Sequence, residues 1–176
     1  MKKKFAYLLL FTLLLSLMGC GGEQADSDLL AGSSWLADND GSQWVFRDDG
    51  SFSWYRDKEV TDDYYYAGNY TVYRGEAAVD YLVDDLSQRE ALAQYGHTRE
   101  WVEFFIKQSA IIDENYNIDN FICYSCDNKS YMLDGQEQLT GEWLTAYYGF
   151  ILQEDSRMEI INMRTGSLYG FNKEDA

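Results

Sequence analysis

Cys123 and Cys126, His97, and the pairs Asp48-Asp49, Asp62-Asp63 and Asp84-Asp85 are the residues of this 176-residue chain whose types and spacing could do chemistry. The lone C-x-x-C of "FICYSCDNK" reads as a redox pair, half of a metal site, a disulfide or two buried thiols. Redox catalysis would want a thioredoxin-like βαβ pattern around it, and none is present. A four-cysteine zinc site would need two more ligands. If the chain is extended through both cysteines, three steps of ~3.3 Å put their Cα atoms about 10 Å apart and on opposite faces, beyond the ~7 Å limit for a bridge. A Cys123–Cys126 disulfide therefore requires a turn between them.

His97 is the only histidine, so any Ser-His-Asp or Cys-His dyad would have to use it. It lies between a helix-stopping Gly96 and a capping Thr98, which suits a connector better than a base. The aspartate pairs could serve acid–base or glycosidase chemistry, which needs two carboxyl groups about 5–9 Å apart across the scissile bond. Each pair falls in a turn or on a helix surface, where solvation explains it. "ADNDGSQ" fails as an EF-hand loop: that spacing puts Gln43 where glycine is needed and Asp49 where glutamate is needed. Asn69-Tyr70-Thr71 and Asn128-Lys129-Ser130 fit a glycosylation sequon. No catalytic residue, metal site or cofactor is assigned.

The third cysteine, Cys20, has a different setting. Lys2, Lys3 and Lys4 precede a 14-residue run from Phe5 to Met18 that is apolar apart from Thr12 and Ser16, the charge order of an export signal. As a helix that run is about 21 Å long, short of the ~30 Å hydrocarbon core. Leu17-Met18-Gly19-Cys20 resembles a bacterial lipobox, which implies cleavage after residue 19 and lipidation of Cys20. Two or three acyl chains, at ~0.8 kcal/mol per buried methylene, hold a protein on a membrane without a protein span. Residues 1–19 are then a signal peptide, residues 20–28 an acylated cysteine and polar leash, and residues 29–176 one domain on the outer face of the cytoplasmic membrane.

Charge narrows the partners. Three of the 14 Lys and Arg lie in the signal, which holds no Asp or Glu, so 11 positive and 30 negative side chains follow it, a net of −19. Nucleic acid is excluded as a partner, and a charged partner should be cationic. Five Trp, fifteen Tyr and nine Phe are far more aromatic surface than a disordered acidic chain carries. About 148 residues suffice for one core.

The elements that position these residues are mostly strands. "SQWVFRDDGSFSWYR" alternates Trp44 and Phe46, then Phe52 and Trp54, about an Asp-Gly turn, which predicts a hairpin with four aromatics on one face. "YYYAGNYTVY" continues the alternation, with Gly68 at a bend or close approach. Ala78, Tyr81, Leu82 and Leu86 follow helical spacing. A second helical stretch ends at Gly96, and Thr98 caps "REWVEFFIKQ" with Trp101, Phe104 and Phe105 as its apolar stripe. Further strands are expected at Ile118–Cys126, Ser130–Leu133, Trp143–Leu152, Met158–Met163 and Ser167–Phe171, with a turn at Asp127-Asn128-Lys129. With a first strand near Ser34–Ala37, the fold class is mainly β: a small antiparallel barrel of about 8–9 strands with two or three helices inserted at about 75–109.

"LAGSSW" followed by "WVFRDDGSFSWY" resembles the opening of lipocalin-like domains, with two residues between Gly32 and Trp35 where the lipocalin motif has one. "YYAGNYTVYRGEAAVDYLVDDL" with "QYGHT" is similar to uncharacterised lipoproteins of Gram-positive bacteria. The resemblance implies a lipocalin-like barrel and brings no catalytic residues. The expected function is a non-enzymatic, lipid-anchored module that binds a small amphipathic molecule or an envelope protein. The alternative is an envelope hydrolase using dispersed carboxylates.

Overall fold

The computed structural model describes residues 25–26, 28–141 and 143–174. Cys20 and the expected signal peptide, residues 1–19, lie outside them. The strands are β1 (Ser33–Ala37), β2 (Gln43–Phe46), β3 (Ser51–Asp57), β4 (Val60–Arg74), β5 (Phe121–Leu133), β6 (Gln136–Glu137), β7 (Trp143–Leu152), β8 (Arg157–Asn162) and β9 (Leu168–Lys173). Every pairing is antiparallel, and β4 pairs β5 while β1 pairs β9. Eight strands therefore close into an up-and-down barrel, with β6 an extra strip on β5. Closure leaves the eight barrel strands with partners on both sides, which removes the open edges a sheet of this size would expose.

The first hairpins follow the alternation in the sequence. Trp44 pairs Trp54 and Phe46 pairs Phe52 across β2 and β3, with Gly50 supplying the positive φ of 78° the turn needs. Trp44, Phe46 and Phe52 are buried in the barrel, and Trp54 packs against the same cluster.

Sequence and structure diverge in β5. The expected turn at Asp127-Asn128-Lys129 is instead a bulge within one 13-residue strand. Ala67 pairs Ser130 and Gly68 pairs Asn128, leaving Lys129 as the extra residue. Gly68 permits this, because a Cβ there would run into the Asp127 carbonyl. A continuous 15-residue β4 offers pairing along the whole of β5, and that outweighs the local turn preference. Upstream, Ile118–Asn120 forms a 3₁₀ turn, so the strand starts later than expected.

The helices lie in the β4–β5 connection. α1 (Glu76–Asp80) runs straight into a π turn (Tyr81–Asp85) and a 3₁₀ turn (Leu86–Gln88). Ala78, Tyr81, Leu82 and Leu86 are all buried, as their spacing predicts. α2 (Arg99–Ile112) is capped by the Thr98 hydroxyl, which accepts from the Trp101 N–H at 3.3 Å. Its buried stripe is not the expected one: Val102 and Ile106 face inward with Phe105 beside them, while Phe104 is 60% exposed. Arg99 ties the helices together through ion pairs to Glu76, Asp80 and Asp84.

Two apolar clusters result. One fills the barrel with Trp35, Phe46, Phe52, Tyr124 and Met158 among others; the second lies between the barrel's outer face and the helices, around Leu82, Val102, Phe121 and Phe150. At roughly 1.5–3 kcal/mol per fully buried large apolar side chain, both are major sources of stability. The entering chain closes one barrel end. Asp26 N–H donates to Val72 O at 2.9 Å, near the C-terminal end of β4, Leu30 is wholly buried in the interior cluster, and the Ser33 hydroxyl donates to the Leu30 carbonyl.

Candidate functional site

The opposite end of the barrel is open. It is built from the N-terminal parts of β2, β4, β7 and β9 and the C-terminal parts of β3, β5 and β8, which antiparallel order brings to the same rim. There the side chains enclose a cup of about 260 Å³. Among the described residues, eight of the fourteen that line it are aromatic and none is aliphatic.

Strand alternation sets the rings. Trp54 and Tyr66 face each other across β3 and β4, with ring centroids 5.2 Å apart. Trp143 meets Tyr66 edge to face at 5.0 Å and an interplanar angle of 77°. Deeper, Trp44 meets Tyr147 at 5.5 Å and 81°, and Tyr147 stacks on Tyr124 at 5.1 Å. Such pairs contribute about 0.5–1.5 kcal/mol each beyond their burial, so the wall is preorganised. The Tyr124 hydroxyl below is buried with no hydrogen-bond partner among the described residues.

The polar groups of the cup are largely engaged in holding the barrel. The Asn128 amide nitrogen donates to Cys126 O at 3.1 Å, Trp143 O at 2.7 Å and Thr145 Oγ1 at 3.3 Å. Asn162 Oδ1 accepts the N–H groups of Arg164 and Thr165, ordering the β8–β9 turn. At the rim, Arg56 pairs with Asp40 at 3.1 Å, and Asp40 also accepts the Ser42 N–H. Burial pushes the phenols of Tyr66 and Tyr147 up, so both keep their protons near neutrality. The cup thus presents ring faces, neutral hydroxyls and one compensated ion pair.

The residues singled out in the sequence are not brought together. Cys123 and Cys126 are both free and buried. β5 is extended through them, so Cys123 faces the helices and Cys126 the barrel interior, and the disulfide that a turn would have allowed is not formed. Burial raises both thiols well above the usual range, leaving them protonated and poorly nucleophilic. His97 stacks on Trp101 at 4.1 Å and meets the edge of Tyr148 at 5.0 Å. Its backbone N–H donates to Ser87 Oγ at 3.0 Å, and burial lowers its imidazole pKa.

Asp49 receives the Ser51 N–H in the β2–β3 turn. Asp62 and Asp63 are exposed on β4. Asp85 pairs with Arg89 at 2.6 Å, and Asp84 lies 3.6 Å from Arg99. In "ADNDGSQ", Asp38 and Asp40 face Arg157 and Arg56. Among the described residues no group of three His, Cys, Asp or Glu could hold a metal ion, and no helix is long and apolar enough to cross a membrane. Of the two sequons, Asn69 is exposed while Asn128 is buried with its amide engaged.

Sequence reasoning named no ligand-binding residue. A usable signal exists in "WLTAYYGFIL", where Trp143, Thr145 and Tyr147 alternate with Leu144, Ala146 and Tyr148 and so share the inner face. No family model matches the chain, and no curated protein or solved structure matches it.

Proposed function

We propose that this chain is a non-enzymatic binding module, lipid-anchored through Cys20 on the outer face of the cytoplasmic membrane, that takes a small amphipathic molecule into the mouth of its barrel. The observation that carries the reading is the aromatic cup of about 260 Å³ at the barrel mouth, lined by eight aromatic residues. Sites of this kind are the usual places where folds bind small molecules. Native mass spectrometry of the full chain, purified in detergent from its own host, tests it. A co-purifying small molecule that is lost on Trp143→Leu supports the module, and a ligand-free protein with measurable turnover that needs a carboxylate pair overturns it in favour of an envelope hydrolase.

A second reading rests on a different surface. Phe104, Ile111, Ile112 and Leu168 are exposed at 60%, 74%, 83% and 68%, and Ile112 and Leu168 flank an apolar groove against β7 and β8. An exposed apolar groove of this kind favours contact with an envelope protein. Capture of one specific envelope partner, abolished by Ile112→Glu, would support it.

A further inference from the structure

The composition of the cup discriminates among small amphipathic ligands. An acyl chain packs best on aliphatic side chains, and none lines the cup among the described residues. A sugar is best held by amide and carboxylate groups in the plane of its hydroxyls, but the Asn128 amide nitrogen, the Asn162 carbonyl and the Asp40 carboxylate already serve the barrel, the β8–β9 turn and Arg56, which leaves chiefly neutral hydroxyls for it. An anion would meet the negative faces of the rings in a chain of net charge −16. The one basic side chain at the cup among the described residues, Arg56, is neutralised by Asp40 at 3.1 Å.

A cation meets the opposite conditions. Ring faces attract it, most strongly those of tryptophan, and Trp54 and Trp143 line one opening, braced by Tyr66, whose own ring lies between Trp54 and Tyr131. The acidic chain raises the local concentration of cations and speeds their arrival. The volume of about 260 Å³ lies below the ~300–1,000 Å³ typical of drug-sized ligands, which selects a small head group.

We infer that the cup binds a small organic cation, a quaternary ammonium or alkylated amine, held against the indoles of Trp54 and Trp143, which the ring of Tyr66 braces. The inference rests on the reading of the barrel as a binding module and specifies its ligand class. Binding needs no proton transfer and no bond to nitrogen, so it persists across neutral pH.

Titration of the full chain in maltoside micelles, followed by tryptophan fluorescence, tests the assignment with three probes: choline, its uncharged isostere 3,3-dimethylbutan-1-ol, and N-acetylglucosamine. Choline is expected to saturate and to bind at least tenfold more tightly than the isostere. Tyr66→Leu and Trp143→Leu should each weaken choline about tenfold, whereas Tyr66→Phe, which keeps the ring and loses only the hydroxyl, should stay within about threefold. Tyr66→Phe also keeps the test decisive if a leucine variant unfolds. Equal binding of choline and the isostere, a Tyr66→Phe loss as large as that of Tyr66→Leu, binding of the saccharide alone, or no response to choline would each overturn it. If choline fails while native mass spectrometry finds a neutral ligand, the cation class falls and the binding module stands. If no probe binds and nothing co-purifies, both fall.

Discussion

The side-chain amide of Asn128 donates to the main-chain oxygen of Trp143 at 2.7 Å, so the residue at the β5 bulge also ties down the backbone that carries the indole at the mouth of the barrel. The same nitrogen reaches Cys126 O and Thr145 Oγ1. Asn128→Leu removes the donor and leaves buried acceptors unpaired, a change that costs about 1–3 kcal/mol for such groups. The expected result is a lower urea midpoint together with a red-shifted tryptophan emission. An unchanged midpoint would mean that the bulge does not depend on this bond.

Gly68 and Gly50 should respond differently to the same substitution. At Gly68 an added Cβ meets the Asp127 carbonyl, whereas at Gly50 nothing lies within 4 Å and only the positive φ of 78° resists it. Gly50→Ala should cost about 1 kcal/mol, and Gly68→Ala clearly more, because the β4–β5 pairing that closes the barrel must shift. Paired denaturant titrations decide the order.

The contrast between these two glycines shows what was legible. The Ser42–Arg56 hairpin could be read because both its alternation and its Asp-Gly turn are local. The Asp127-Asn128-Lys129 stretch misleads because turn-forming residues are judged locally, while the bulge is imposed by register with β4, more than 50 positions away in the chain. Phe104 misleads for a related reason: helical spacing permits more than one apolar stripe, and the barrel's outer face selects Val102, Phe105 and Ile106. The cup was hidden because its wall is assembled from seven strands, and alternation marks an inward residue without marking which end of the barrel stays unfilled.

Cys123 and Cys126 should be silent thiols. With both buried and free, the native protein is expected to release no colour with a thiol–disulfide reagent and to release both equivalents only on denaturation. Treatment with a reductant should leave the melting temperature unchanged. Rapid modification of the native protein would contradict the burial of both groups.

His97 gives stability a pH dependence whose sign follows from its burial. Its folded pKa is depressed relative to an unfolded value of about 6.5, so the unfolded chain binds the proton more readily. The contribution is complete above pH about 6.5 and is lost as pH falls through the folded value. Between pH 7.5 and 5.5, wild type should lose melting temperature relative to His97→Phe, which keeps the stack on Trp101 and has no proton to bind. Parallel curves for the two proteins would count against it.

Cys20→Ala should release the domain from membranes or trap its precursor. Mass spectrometry of the membrane-extracted wild type should find an acylated Cys20 as the first residue, and a mature chain with a free thiol there would defeat the anchor.

Leu30 has a mechanical consequence. Tension applied to the N-terminus is transmitted through Asp26 to Val72 and through the buried Leu30 into the base of the barrel, while the cup sits at the far end, outside the load path. With the proposed anchor at Cys20, the barrel would be held by its floor. Pulling on the chain should draw out the Leu30 plug before it disturbs the rings at the rim, so that the open end would stay intact under load.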